Sequence, residues 1–209
     1  RLTPAAKELI IKTTHLAHYG HMTHMEGGPT MFSQLKQSHF LKTSPIPLLF
    51  DFFIHTCDVA GALGHINHHS SLVYTEQTHL AMQAVFDACK KLEISQTTEK
   101  EAYDSYLSVR ARWLGFNPRD PLDRILTRVG SMLRLFTVED GAALKQAVSQ
   151  LSPERLDEII SQFELLETEK WEQTPTYIPA LLVNLLNQSP LHSSKEERFS
   201  QVVSIGLPF

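Results

Sequence analysis

The sequence predicts an all-α fold, and three observations carry that reading. Helix caps recur along the chain, apolar residues return at helical spacing between them, and strand signals are thin. Alternating β-branched runs closed by Asn-Gly or Asp-Gly turns are absent. No internal repeat of fixed period and no low-complexity tract interrupts the pattern.

Each element has its own signal. Thr3-Pro4 opens the first helix, with proline at the favoured first position. It is expected to run to about Met25, where Gly27-Gly28-Pro29 stop it. A short helical segment is expected over 30–39. Ser44-Pro45 opens a long apolar helix, roughly 45–67. Thr75 opens the next, to about Leu92, and Thr98 another, to Gly115. An amphipathic helix follows from Asp120 to Phe136. Thr137 with Asp140 resembles a capping box and starts 138–151, and Ser152-Pro153 starts 153–166. Thr176 to Asn187 is a short apolar helix. Ser194 with Glu197 is a capping box for the last one.

Composition bounds the function. A chain of 209 residues with 42% hydrophobic content suits one large domain, or a domain with an appendage. Nineteen basic against 23 acidic residues argue against a general nucleic-acid binder. Two cysteines build no disulfide framework, so a reducing, cytoplasmic setting is expected. No apolar run is long enough for a transmembrane helix, and no membrane partner is expected. The chain opens at Arg1 without a methionine, so upstream residues are expected to be missing. The stretch Ile94 to Thr97 divides two regions. Residues 1–94 are read as a His-rich helical core with a metal site. Residues 95–209 are read as an amphipathic helical region packing on the same domain.

Histidine is sorted unevenly. Of 11, ten lie between His15 and His79, and only His192 follows. The segment from Pro47 to Asn67 is apolar on nearly every side, which predicts a buried central helix. It carries Asp51, His55, Asp58, His65 and, just beyond, His69. At about 100° per residue these five fall in a sector of roughly 80°. Ala62 shares the sector, and Gly61 and Gly64 flank it. Burying such a stripe is costly unless its groups are paired, hydrogen-bonded or metal-bound. A structural Asp–His network explains one such pair; five on one stripe favour a site.

A second cluster holds His15, His18, His21 and His24, three residues apart. That spacing drifts about 60° per step, so all four cannot face one point. His18 with His21, or His21 with His24, can share a face and chelate. Two or three of the four are equally consistent with solvated positions. His39 alone is a weak candidate, and His68 suits a helix end. Glu76 and His79 have the Glu-x-x-His spacing of ferritin-like di-iron proteins, in one copy where two are needed.

The run Phe52-Phe53-Ile54-His55-Thr56-Cys57-Asp58-Val59-Ala60 resembles the helix that supplies the last metal-binding Asp in the HD superfamily of metal-dependent phosphohydrolases. Cyclic-nucleotide phosphodiesterases carry a similar run there. The resemblance covers about twenty residues strongly and 15–69 loosely. It implies a multi-helix bundle of the HD type, one or two divalent metal ions, and hydrolysis of a phosphoester or phosphoanhydride. Asp58 matches the metal carboxylate and His55 the histidine one turn earlier. The chain departs from the family in having no adjacent His-Asp dipeptide. The His15–His24 cluster replacing the missing imidazoles, a motif completed upstream of Arg1, and a catalytically inactive relative all remain open.

The expected metal ligands are His21, His24, His55, Asp58 and His65, with His18 or His69 as acid/base. Asp51 would orient a histidine through its ring N–H. Imidazole-rich ligation favours Fe, Mn, Zn, Co or Ni over Mg. Metal-bound water would attack phosphorus, and a histidine would protonate the leaving oxygen. The expected partner is a small phosphorylated molecule. Lys12, Lys36 and Lys42, or Arg110, Arg112, Arg119, Arg124, Arg128 and Arg134, are candidate cations for it. For Arg124, Arg128 and Arg134, on one amphipathic helix, a solvated face is the expectation. Two other classes compete: a di-iron oxygenase or iron-binding protein, and an inactive helical interaction module using Trp113, Phe116, Trp171 and Tyr177. For these aromatics a core role is the first expectation. Substrate, metal identity and oligomeric state are not legible.

Overall fold

A computed structural model describes residues 1–13, 19–37, 44–61, 74–168, 177–188 and 194–206. Among these, every regular element is helical, eleven of them α-helices, as the sequence predicts. The chain divides into two compact units. The first holds Arg1–Thr23 and Pro29–Tyr106, and the second holds His24–Gly28 and Leu107–Phe209. The division falls inside a helix at 106/107, twelve residues beyond the composition change at 94.

In the first unit, the helix expected over 4–25 is described as α1 (Pro4–Thr13) and α2 (Tyr19–Thr23), and residues 14–18 between them lie outside the described residues. Met25 takes a left-handed φ of 53° just before the glycines, so the helix ends earlier than they signal. A 3₁₀ turn (Pro29–Phe32) leads into α3 (Ser33–Gln37). Then come α4 (Ile46–Gly61), α5 (Glu76–Lys91) and α6 (Glu99–Leu114). The Thr75 hydroxyl accepts from the Thr78 N–H and caps α5 as expected. α2 packs on both α4 and α5, and α1 packs on α4. The Tyr106 hydroxyl donates to the Thr23 carbonyl at 2.6 Å, tying the end of α2 to α6.

α4 overturns the expectation of a buried central helix. Ile46, Leu49, Phe53 and Ile54 are between 45% and 60% exposed, while Pro47, Leu48 and Asp51 are buried. Of the polar stripe, Asp51 turns inward, His55 is half-buried and Asp58 is exposed, while an apolar stripe turns outward. A helix apolar on nearly every side carries no signal for which face goes in.

In the second unit, α7 (Pro121–Met132) is surrounded by α8 (Val138–Val148), α9 (Pro153–Thr168) and α10 (Tyr177–Gln188). α11 (Lys195–Gln201) packs on α8 and α10, and a π-helical turn (Val202–Gly206) follows. Every residue from Ile125 to Leu133 is buried. The Thr127 hydroxyl donates to the Asp123 carbonyl and the Ser131 hydroxyl to the Thr127 carbonyl, both at 2.7 Å. Satisfied within their own helix, these side chains pack as small apolar groups. α7 stops at Met132, four residues earlier than expected, and Arg134 turns left-handed at φ 59°. α8 approaches the end of α6 so closely that a Cβ on Gly141 would lie 2.0 Å from the Leu114 carbonyl oxygen. The capping box at Ser194 and Glu197 forms in full. At α8 it forms by half: Thr137 accepts from the Asp140 N–H, while Asp140 turns its carboxylate to Lys195.

Candidate metal centre

The inward stripe of α4 is the best-defined polar site of the first unit. Asp51 is 3% exposed, His55 is half-buried, and Asp58 is exposed one turn further on. The two carboxylates thus sit four residues before and three after the imidazole, on one side of the helix. The His55 Nδ1 lies 2.9 Å from the Asp51 carbonyl oxygen and 3.5 Å from Asp51 Oδ1. A carbonyl only accepts, so Nδ1 carries the hydrogen of that bond, and in the neutral ring Nε2 keeps its lone pair. Metal-bound histidines use this arrangement. Asp51 orients His55, as expected, though its backbone oxygen makes the shorter contact.

Aromatic packing holds the stripe in place. The Tyr19 ring lies 5.2 Å from the His55 ring and 5.6 Å from Phe52, which lies 4.7 Å from Phe86 of α5. Tyr19 and Cys89 are both fully buried, and the Tyr19 hydroxyl has no hydrogen-bond partner among the described residues. Burial is the main force pushing the Tyr19 hydroxyl and the Cys89 thiol far above their ordinary pKa values. The Asp51 charge pushes both the same way. The wall behind Asp51 is therefore made of neutral donors, and Cys89 is no nucleophile.

Two partners of this site escaped the sequence reading. Tyr19 stands inside the histidine cluster but carries no metal chemistry. Cys89 served only to indicate a reducing compartment. The signal was present in α5, where Ala81, Met82, Val85, Phe86 and Cys89 recur every three to four residues and face inward.

The other expected residues are distributed differently. His21 is half-buried on α2 in the first unit; His24 is half-buried in the 24–28 segment that clusters with the second. His18, His65 and His69 lie outside the described residues, as do His15, His39, His68 and Lys42. Among the described residues, no three His, Cys, Asp or Glu side chains converge as a metal-binding group. Glu76 and His79 are exposed, and the His79 Nδ1 sits 2.6 Å from the Tyr74 hydroxyl.

The candidate cations are mostly committed. Lys12 pairs with Glu8, and the Lys36 ammonium donates to the Ser95 and Thr97 carbonyls. Arg124 makes a two-pronged ion pair with Glu167, its Nε 3.0 and 2.8 Å from the carboxylate oxygens. A solvated face is wrong for Arg128, which is 1% exposed, and right for Arg134. The reason is the depth of α7, whose neighbours cover all its sides. Phe116 is buried in the core, as expected, and Trp113 is half-buried; Trp171 and the Tyr177 side chain lie outside the described residues.

Fold and site define an all-helical protein with an acid–imidazole stripe on one helix, buried at Asp51 and exposed at Asp58. The chain belongs to a family of unknown function, DUF6829, which it matches over residues 1–209. No curated protein and no solved structure matches it. Among the described residues, no helix is long and apolar enough to cross a membrane.

Proposed function

We propose that the chain is a divalent-metal-dependent phosphohydrolase whose metal site is built on the inward face of α4. The observation that carries this reading is His55. Its Nδ1 is held by the Asp51 carbonyl, which aims Nε2 away from its own helix as a ligand. The donor set fits a transition metal, with one imidazole between two carboxylates on a single stripe. Asp58, being exposed, is the carboxylate free to join His55, and Asp51 fixes the ring from behind. The resemblance of residues 52–60 to HD phosphohydrolases supports the same assignment. His21, His24 and His65 are proposed as further ligands, and His18 or His69 as the acid that protonates the leaving oxygen. When bound, the metal would supply water activated near neutral pH. The proposed substrate is a small phosphorylated molecule, and the proposed setting is cytoplasmic.

The test is elemental analysis of tag-free chain, wild type beside His55→Ala and Asp58→Ala, followed by a phosphoester hydrolysis screen. The reading expects about one or two equivalents of Fe, Mn, Zn, Co or Ni in the wild type. It expects most of that metal, and any activity, to be lost in both variants. A folded His55→Ala protein that keeps all its metal would remove the assignment. So would a wild type that takes up none on reconstitution. The oxygenase reading draws nothing from Glu76 and His79, whose side chains stand exposed. A non-catalytic interaction module is the second reading, favoured by the outward apolar stripe of α4. Metal-free protein without hydrolytic activity would be its signature.

A further inference from the structure

The second unit buries two guanidinium groups, and they are treated differently. Arg110 is fully buried, but its Nη2 donates to the Leu135 carbonyl at 2.7 Å. Its Cζ also lies 4.4 Å from the Phe136 ring centre and 5.4 Å from that of Trp113. Arg128, in the middle of α7, has one such contact, its Cζ 5.2 Å from the ring centre of Phe163 on α9. Among the described residues, its Nε and Nη1 are buried without any acceptor. The α7–α9 seam has a regular rung one turn earlier, where Arg124 meets Glu167. At the Arg128 rung α9 supplies an aromatic ring instead of an acid, and no carboxylate lies within ion-pair distance among the described residues.

A guanidinium keeps its charge when buried, because its proton is too strongly held to be shed. An aromatic face attracts that charge but accepts no N–H bond in the guanidinium plane. Buried N–H groups left without acceptors are destabilising, and more so on a cation. The planar fork is shaped for the oxygens of a phosphate or a carboxylate.

We propose that Arg128 is the cationic half of an oxyanion-binding site in the α7–α9 seam. Phe163 forms one wall of it, and the buried, unpaired Nε and Nη1 donate to the oxygens of a compact phosphate or carboxylate group. Arg124 and Glu167, already satisfied by each other, fix the spacing of the two helices beside it. The proposal rests on the second unit alone and is independent of the metal reading.

The test is calorimetric titration of the full chain with inorganic phosphate and, separately, with acetate, each against sodium chloride at equal ionic strength. Thermal midpoints are recorded in parallel for wild type, Arg128→Lys and Arg128→Met. The expected result is saturable binding of one of the two anions by the wild type, with a rise in midpoint that chloride does not give. Phosphate alone would identify a phosphoryl ligand, and acetate a carboxylate. Arg128→Lys keeps the charge but loses the fork, and should bind at least about tenfold more weakly. Arg128→Met should not bind. Absence of saturable heat in the wild type overturns the proposal whether or not the variants fold. Retention of the wild-type response by folded Arg128→Met also overturns it.

Discussion

α4 and α7 exchange the roles their sequences suggest. α4 reads as the interior helix, yet Phe53 is 60% exposed and its acid faces inward. α7 reads as a surface helix with a charged stripe, yet nine residues in a row are buried, Arg128 among them. Apolar content states how much a helix has available to bury. The neighbours decide what is buried. α7 packs on α8, α9 and α10, and its buried Thr127 and Ser131 hydroxyls are satisfied by its own carbonyls. α4 packs on α1 and short α2, which cover one side of it.

Truncating each helix would break this contrast most directly. Leu126→Ala on α7, at 1% exposure, should cost about 2–5 kcal/mol in urea unfolding. Phe53→Ala on α4 removes a larger side chain and should cost under about 1 kcal/mol, because most of that ring is already in water. Equal losses would place the outward face of α4 in a core.

The cysteines sharpen the same contrast by a rate. Cys57 lies on the outward side of α4, and Cys89 is sealed behind Asp51 with its thiol pushed upward by burial. A thiol reagent at pH 8 should label Cys57 at least about 100-fold faster than Cys89, which should react only on unfolding. Comparable rates would mean that the wall behind Asp51 opens in the native state.

The smallest effect belongs to the second unit's surface. Burial alone would raise the Asp140 carboxyl. Bonds from Lys195, Thr137 and the Phe136 N–H outweigh it and hold the group below its ordinary value. A folded-state value below the unfolded one stabilises the protein at neutral pH. That contribution fades as pH falls below about 4, through the folded-state value. Asp140→Asn should therefore cost about 0.5–1 kcal/mol at pH 7 and nothing near pH 2. Stability curves against pH for the two proteins would run parallel if the ion pair contributed nothing.

Much of this was legible in the sequence. Caps at Thr75, Asp120, Thr137 and Ser194 placed helix starts, because a side-chain oxygen three residues before an N–H is a local matter. Helix ends were less legible, since Met25 and Arg134 turn left-handed without a glycine. The Asp51–His55 pairing followed from spacing within one helix. Its neighbours Tyr19 and Cys89 come from elements far apart in sequence, and periodicity on one helix says nothing about what another brings to it. Arg128 was misread for the same reason, because its burial depends on α9.

Gly141 has a consequence for how much variation the chain accepts. The meeting of α6 and α8 leaves no room for even one carbon, since the obstacle is the backbone oxygen of Leu114 and not a side chain that can swing aside. A survey of all substitutions along α8 would find position 141 nearly blank, beside an exposed Glu139 open to most residues. The single hydrogen at Gly141 acts as a stop that fixes where α8 begins along its neighbour. Insertions in the connections on either side of α7, which lies between α6 and α8 in the chain, have to preserve that stop to keep the fold.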